Sequence, residues 1–279
     1  MKNWKKLTLV TVVGILAVGL TACKKEEGTK SKTSDEAKEI VVGVAPGPYG
    51  DMVTDVIGPL MKEKGFTVTT KLFNDYVQPN KALASKQIDA NLFQHTAYLE
   101  KFAGDNDLDL TAVGQVPTLG MGIYSKELTS LSDLPDGGKV SIANDASNLA
   151  RTLQLLQAND LITIKADIDE TKATVNDIDK NDHQLEFKPL DAAQLARSLD
   201  NVDIALIPGN FSWAAELKPS DALALEKLQE KYKNIVAVRT EDKDSDLGKA
   251  FEEVLTSEDF KASIAKSEFK DFDQPESWK

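Results

Sequence analysis

Twice along this chain a short helical run, a tight turn and a strand opening on an apolar residue followed by aspartate come in the same order. Ala82-Leu83-Ala84-Ser85 stands ahead of Ile88-Asp89-Ala90, and Leu195-Ala196-Arg197-Ser198 ahead of Val202-Asp203-Ile204. Taken as a repeat, the pair divides the chain into two α/β lobes, each a small open sheet flanked by helices. The surrounding segments fit that reading. Ile40 to Val44 predict a short apolar strand, followed by the loop Ala45-Pro46-Gly47-Pro48. Asp51 then caps a helix in which Met52, Val53, Val56, Ile57, Leu60 and Met61 keep helical spacing. Pro59 is expected to kink that helix and Gly65 to end it. Further strands are expected from Phe66 to Phe73, Ile88 to Phe93, Lys139 to Ala143, Leu185 to Leu190, Val202 to Ile207 and Ile235 to Val238. Helices are expected from Pro79 to Lys86, Ser147 to Gln157 and Ala192 to Leu199, the second of them capped by Asn144-Asp145.

Ahead of the lobes, Met1 to Lys6 carries three lysines and Leu7 to Leu20 is an apolar run. That run is shorter than the roughly twenty residues of a membrane span, and the order of charge and apolar run predicts an export signal. Leu20-Thr21-Ala22-Cys23 has the form of a bacterial lipobox, with the chain's one cysteine as the lipidated residue; the alternative is a signal anchor with an incidental cysteine. Residues 1–22 are then a signal peptide and 23–39 the lipidated Cys23 and a flexible tether, since Lys24 to Glu39 holds no apolar residue but Ala37. A diacyl anchor brings two acyl chains, enough for stable attachment. The expected location is the cell membrane, on its extracytoplasmic face.

A single cysteine excludes a disulfide framework and every multi-cysteine metal site. Two histidines, His95 and His183, leave little room for a zinc enzyme, and no metal or organic cofactor is expected. The formal net charge of −12 offers no basic face for phosphates, so nucleic acid is not an expected partner.

Open α/β sheets bind ligands at the carboxyl ends of their strands, and two facing lobes make a cleft. The residues at those ends are aromatics, amides and one guanidinium: Tyr76, Phe93, His95 and Tyr98 in the first half, Asn144, Asn148, Arg151 and Asn210 in the second, and Asn234 ahead of a later strand. No nucleophile–base pair, phosphate-cradling glycine loop or pair of inward carboxylates can be located. Each residue also has a plainer role: Phe93 and Tyr98 as core aromatics, His95 as a helix cap, Arg151 on a solvated helix face, Asn144 and Asn234 as caps or turns. His183 reads as a loop residue.

The segment Phe73-Asn74-Asp75-Tyr76-Val77-Gln78-Pro79-Asn80-Lys81-Ala82-Leu83 closely resembles the methionine-binding lipoprotein family (NlpA/MetQ type). So do Ile88-Asp89-Ala90-Asn91 with Phe93-Gln94-His95, Asn144-Asp145 with Asn148 and Arg151, Leu190-Asp191-Ala192-Ala193-Gln194, and Arg197-Ser198-Leu199-Asp200. The resemblance runs from about Ile40 to the C-terminus. It implies a two-lobed, periplasmic-binding-protein-like (type II) fold with a ligand cleft between lobes, in which residues 40–115 and 235–279 form one lobe and 116–234 the other. The implied function is capture of L-methionine, or of a methionine-containing dipeptide or another amino acid, for an ABC importer. The implied partners are a permease with its ATPase, and the protein is expected to be a monomer without catalysis of its own. By position, Tyr76, Phe93, His95 and Tyr98 surround the ligand side chain, Arg151 pairs with its carboxylate and Asn234 contacts its head group; Asn144 and Asn148 match the motif. In many relatives an asparagine follows the strand ending at Ile207, whereas this chain has Pro208, with neither side-chain amide nor N–H; Asn210 is the candidate substitute. The rival readings are a lipid-anchored hydrolase built on His95 with an acidic partner, and a structural lipoprotein that binds no small molecule tightly.

Overall fold

The computed structural model describes residues 37–278; the signal, the lipobox with Cys23 and most of the tether lie outside the described residues. The first strand starts at Lys38, inside the expected tether, because the Lys38 N–H donates to the Gly65 carbonyl (2.9 Å) and draws the chain into the sheet.

In chain order the first elements are β1 (Lys38–Val44), α1 (Tyr49–Asp51), a π-type stretch (Met52–Ile57), α2 (Gly58–Glu63), β2 (Phe66–Leu72), α3 (Gln78–Ala84), β3 (Ala90–His95), α4 (Thr96–Asp105) and β4 (Leu110–Gln115). Next come β5 (Gly122–Tyr124), β6 (Lys139–Ala143), α5 (Ala146–Ala158), β7 (Thr163–Ile164), β8 (Ile178–Lys180), β9 (Glu186–Leu190), α6 (Leu195–Ser198), β10 (Ile204–Ile207), α7 (Gly209–Ala214) and β11 (Ala224–Leu225). The chain then returns as β12 (Asn234–Arg239), α8 (Asp246–Thr256) and α9 (Glu258–Ile264).

Two five-stranded sheets result, in the orders β2-β1-β3-β12-β4 and β11-β5-β10-β6-β9. Each has a parallel trio, β2-β1-β3 and β9-β6-β10, followed by an antiparallel strand, β12 or β5. The repeated apolar–Asp pair does the same work in both. Asp89 Oδ2 accepts the Val41 N–H (2.8 Å) in the middle of β1, one residue before its pairing with β3 begins, and Asp203 Oδ2 accepts the Lys139 N–H (2.7 Å) at the start of β6. Each carboxylate satisfies a backbone donor of the neighbouring strand.

The expected kink at Pro59 takes the form of a widened turn. Proline cannot donate to the carbonyl four residues back, and just ahead of it the Gly58 N–H reaches the Val53 carbonyl five residues back, the spacing of a π-turn. Gly65 ends the helix at φ +87°, as glycine can. Apolar residues of β1, β3, β12 and the helices against them, including Met52, Ile57, Phe251 and Phe260, form the core of the first sheet; Ile123, Ile142, Leu153 and Leu206 centre that of the second.

The segment after β4 and the segment before β12 cross between the sheets side by side. The Val116 N–H donates to the Asn234 carbonyl (2.8 Å) and the Asn234 N–H to Thr118 Oγ1 (2.8 Å). The C-terminal stretch lies over them: Thr118 and Asp273 exchange backbone hydrogen bonds (both 3.0 Å), and Lys233 Nζ, on a buried side chain, bonds Asp273 Oδ1 (2.5 Å). Trp213 packs edge-on against Phe272, and Trp278 against Phe260. His183 is half exposed, 3.1 Å from Asp136. Among the described residues no helix is long and apolar enough to cross a membrane, and no group of three or more His, Cys, Asp or Glu side chains stands together to hold a metal.

Candidate ligand site

β3 ends in His95, and the chain turns there into α4. His95 is the N-cap: its Nδ1 accepts the Tyr98 N–H (3.1 Å), which leaves Nε2 as the protonated nitrogen to donate to Asn148 Oδ1 (3.1 Å). One ring thereby starts a helix and faces a cavity. Tyr98, one turn into α4, lies near Phe93 (ring centroids 6.1 Å), and both are near Tyr76 (5.7 Å each). Tyr98 donates its hydroxyl to the Tyr76 backbone carbonyl (3.0 Å), so one ring of the aromatic wall braces the backbone that carries another.

The opposite wall comes from the second sheet. Asp145 caps α5 by accepting the Asn148 N–H (2.9 Å), and Asn148 and Arg151 follow at helical spacing on the buried side of that helix. The Asn148 amide is fully engaged: Nδ2 donates to Asp145, and Oδ1 accepts from His95 and, at 3.4 Å, from Arg151 Nη1. Between the walls lies a tight cavity of about 20 Å³.

Of the residues expected at the site, Tyr76, Phe93, His95, Tyr98, Asn148, Arg151, Asn210 and Asn234 line this cavity. Asn144 does not. Its N–H continues the strand pairing to the Leu190 carbonyl (2.9 Å), its side chain is exposed, and the capping role falls to Asp145. Nor is the Asn210 amide free to replace the side chain missing at Pro208. Asn210 Oδ1 accepts the Tyr76 hydroxyl (2.5 Å) and Nδ2 donates to the Pro46 carbonyl (2.9 Å), so the residue ties α7 to the loops of the first sheet. Among the described residues, that leaves the Asn234 side chain and part of the Arg151 guanidinium as polar groups of the expected set without a protein partner for every bond.

The residues that sequence reasoning passed over are Tyr49, Thr118, Leu119 and Glu226. Tyr49 follows the loop at the carboxyl end of β1, and its hydroxyl accepts the Leu119 N–H (3.2 Å); the strand-end rule already pointed to that loop. Glu226 pairs with Arg151 through Nε–Oε2 (2.9 Å) and Nη2–Oε1, both side chains being almost fully buried. The guanidinium also sits 4.9 Å from the Tyr232 ring centre. No motif marks Glu226 in a chain with 45 acidic residues.

Burial governs the electrostatics. Removal from water, with the Arg151 charge adding to it, lowers the His95 pKa to about 3. Burial pushes Tyr49 up to about 12, and Tyr76 and Tyr98 well above the usual phenol range, so all three rings stay neutral. Burial alone would lower Arg151; the Glu226 carboxylate outweighs it and holds the guanidinium above its ordinary value. Among the described residues His95 has no acidic partner, both ring nitrogens being taken by Asn148 and the Tyr98 N–H, which is not the arrangement the hydrolase reading needs.

Two mixed α/β sheets, joined by paired crossing segments and enclosing a polar and aromatic cavity, define a periplasmic-type substrate-binding protein. The chain belongs to the NlpA lipoprotein family, whose description matches residues 40–277. It is 38% identical over 267 residues to the methionine-binding lipoprotein MetQ of Bacillus subtilis (strain 168), covering 94% of this chain and 96% of that relative. A solved structure of a nutrient-binding protein from Burkholderia cenocepacia bound to methionine superimposes with a TM-score of 0.77 at 42% identity, covering 83% of this chain and 97% of that one. An ABC-transporter periplasmic substrate-binding protein from Coxiella burnetii does so at 0.75 and 38% identity, covering 81% and 96%. The chain is a MetQ-type substrate-binding lipoprotein, and the family is not enzymatic.

Proposed function

We propose that this protein captures L-methionine between two lobes and hands it to an ABC permease and its ATPase, held to the extracytoplasmic face of the membrane by lipid on Cys23 and acting as a monomer. The observation that carries the reading is the buried Arg151 facing an aromatic wall across one cavity. A guanidinium offers a planar fork to a carboxylate. Tyr76, Phe93 and Tyr98 offer rings to a thioether, each such contact contributing about 0.3–1.5 kcal/mol. Burying a methionine side chain adds roughly 1.5–3 kcal/mol, whereas micromolar affinity needs about 8 kcal/mol. The charged head group therefore carries a large share, with Arg151 on the carboxylate, Asn234 on the nitrogen, and Asn148 holding His95 and Arg151 in place. The lobes comprise residues 40–115 with 235–279, and residues 116–234; they hinge at the crossing segments, and ligand favours the closed arrangement by bridging them.

One observation favours a second ligand class in the same role. Pro208 supplies no amide and Asn210 is engaged with Tyr76 and Pro46, so a ligand whose methionine nitrogen is acylated, as in glycyl-methionine, asks less at this point and carries its ammonium one residue further on. The test is isothermal titration calorimetry on the full chain in detergent, unfolded and refolded to strip carried-over ligand. L-methionine, D-methionine, glycyl-methionine and other amino acids are titrated in turn. One-to-one micromolar binding of L-methionine supports the first reading, and binding of glycyl-methionine alone supports the second. Silence across the panel from folded protein refutes both.

A further inference from the structure

We infer that Glu226 sets the charge class of ligand this cavity accepts, by fixing Arg151 and cancelling its charge, so that a net-neutral zwitterion is preferred over an anion or a cation. The inference rests on the amino-acid reading above and goes beyond it by naming what decides ligand charge.

The geometry is that of a built counter-ion. Glu226 takes the Nε and Nη2 edge of Arg151, and its Oε1 also accepts the Met121 N–H. Side-chain exposure is 5% for Arg151 and 7% for Glu226, so water screens the pair only weakly. The carboxylate is confined from behind: a Cβ on Gly120 would lie 3.2 Å from Glu226 Oε1 and Cγ. With that edge held, the Nη1 end of Arg151 is directed to Asn148 Oδ1, beside His95 and the cavity.

The remaining charges near the cavity do not upset this balance. His95 is neutral, and Asp145, which does not line the cavity, has its charge set against the positive N-terminal end of α5, where it accepts the Asn148 N–H and side-chain amide. Arg151 and Glu226 together therefore contribute zero. Charges in a poorly solvated site must nearly cancel to be tolerated. A zwitterion preserves the sum, a carboxylate without an ammonium makes it −1, and an ammonium without a carboxylate makes it +1.

Three probes of nearly one size separate these cases: L-methionine, its α-hydroxy analogue (carboxylate only) and L-methioninamide (ammonium only). They are titrated calorimetrically into the full chain in detergent, as wild type, Glu226→Gln and Glu226→Asp. Wild type is expected to prefer methionine to both charged probes. In Glu226→Gln the cavity becomes cationic, and the hydroxy analogue should gain at least about tenfold relative to methionine, one modest charge interaction, while methioninamide loses ground. Glu226→Asp, which keeps the charge, should keep the wild-type order. Equal weakening of all three probes in Glu226→Gln would overturn the inference, leaving Glu226 a purely structural brace. Should that variant not fold, wild type binding the hydroxy analogue as tightly as methionine overturns it as well. A wild type that binds none of the probes while folded refutes the amino-acid reading itself, a distinct result.

Discussion

Gly47→Ala is expected to weaken ligand binding while leaving both sheets folded. Gly47 lies in the loop after β1 at φ +127°, and a Cβ there would sit 2.6 Å from the Asn210 carbonyl oxygen, 2.7 Å from its Cβ and 2.8 Å from its Cα. Ordinary contact begins near 3.4 Å, and two of the three atoms are backbone that cannot rotate aside. The methyl group therefore pushes α7 away from the loop by several tenths of an ångström. Two costs arise and they fall on different states. The unfavourable backbone angle costs of order 1–3 kcal/mol in every folded form, and lowers the melting temperature with or without ligand. The overlap, about 1–3 kcal/mol by analogy with overpacked cores, falls only on the arrangement in which α7 rests on the loop. Only that second cost enters the affinity, and at 1.4 kcal/mol per tenfold it amounts to about 5- to 150-fold. Calorimetric titration with methionine measures it, and small-angle scattering should show less compaction on ligand addition than in wild type. An unchanged dissociation constant, with a lowered melting temperature showing that the strain is present, would refute the idea that binding requires this contact.

Three further outcomes follow from the same geometry. Arg151→Ala should cost more affinity than Tyr98→Phe, which loses one hydroxyl bond worth about 0.5–1.5 kcal/mol; comparable losses in the same titration would overturn the division between head group and side chain. The His95 pKa is lowered on folding to about 3, so the unfolded chain binds the extra proton between about pH 6.5 and pH 3. The stability from this residue is then present above pH 6.5 and is lost as pH falls toward 3. In urea unfolding, His95→Gln should reduce the slope of stability against pH in that window by up to one proton, about 1.4 kcal/mol per pH unit, and an unchanged slope would contradict a buried neutral ring. Finally, Asp89→Ala and Asp203→Ala should each lower stability by about 1.5–3 kcal/mol, the range for bonds to a charged group; if one is costly and the other silent, the two carboxylates are not equivalent.

Much of this molecule was legible locally, where a pattern and its consequence lie within a few residues. The paired apolar–Asp strand starts, the stop at Gly65 and the cluster from Phe93 to Tyr98 belong to that class. Arg151 stood out as the one guanidinium among the strand-end residues and through the family resemblance. What escaped depends on distant segments meeting. Glu226 reaches Arg151 from 75 residues away, and nothing near it distinguishes one carboxylate among many. Asn144 was misplaced because the step from strand to helix decides which of two adjacent residues turns inward, and the Leu190 pairing settles that step from across the sheet. Asn210 stands at the cavity as expected, but its amide is spent on Tyr76 and Pro46, a use visible only once α7 and the first-sheet loops are set side by side.

The position of β12 orders the assembly of the whole. The second sheet draws all its strands from β5 to β11, residues 122–225, and is complete as soon as that stretch is available. The first sheet is not: β12 lies between β3 and β4, so β4 has no neighbour until residues 234–239 arrive. A chain delivered from its N-terminus thus starts the first sheet early and finishes it late, after the second has closed. Residue 273, which pairs with Thr118 across the crossing segments, comes later still. The part of the sequence that begins the fold is the part that must wait for its end.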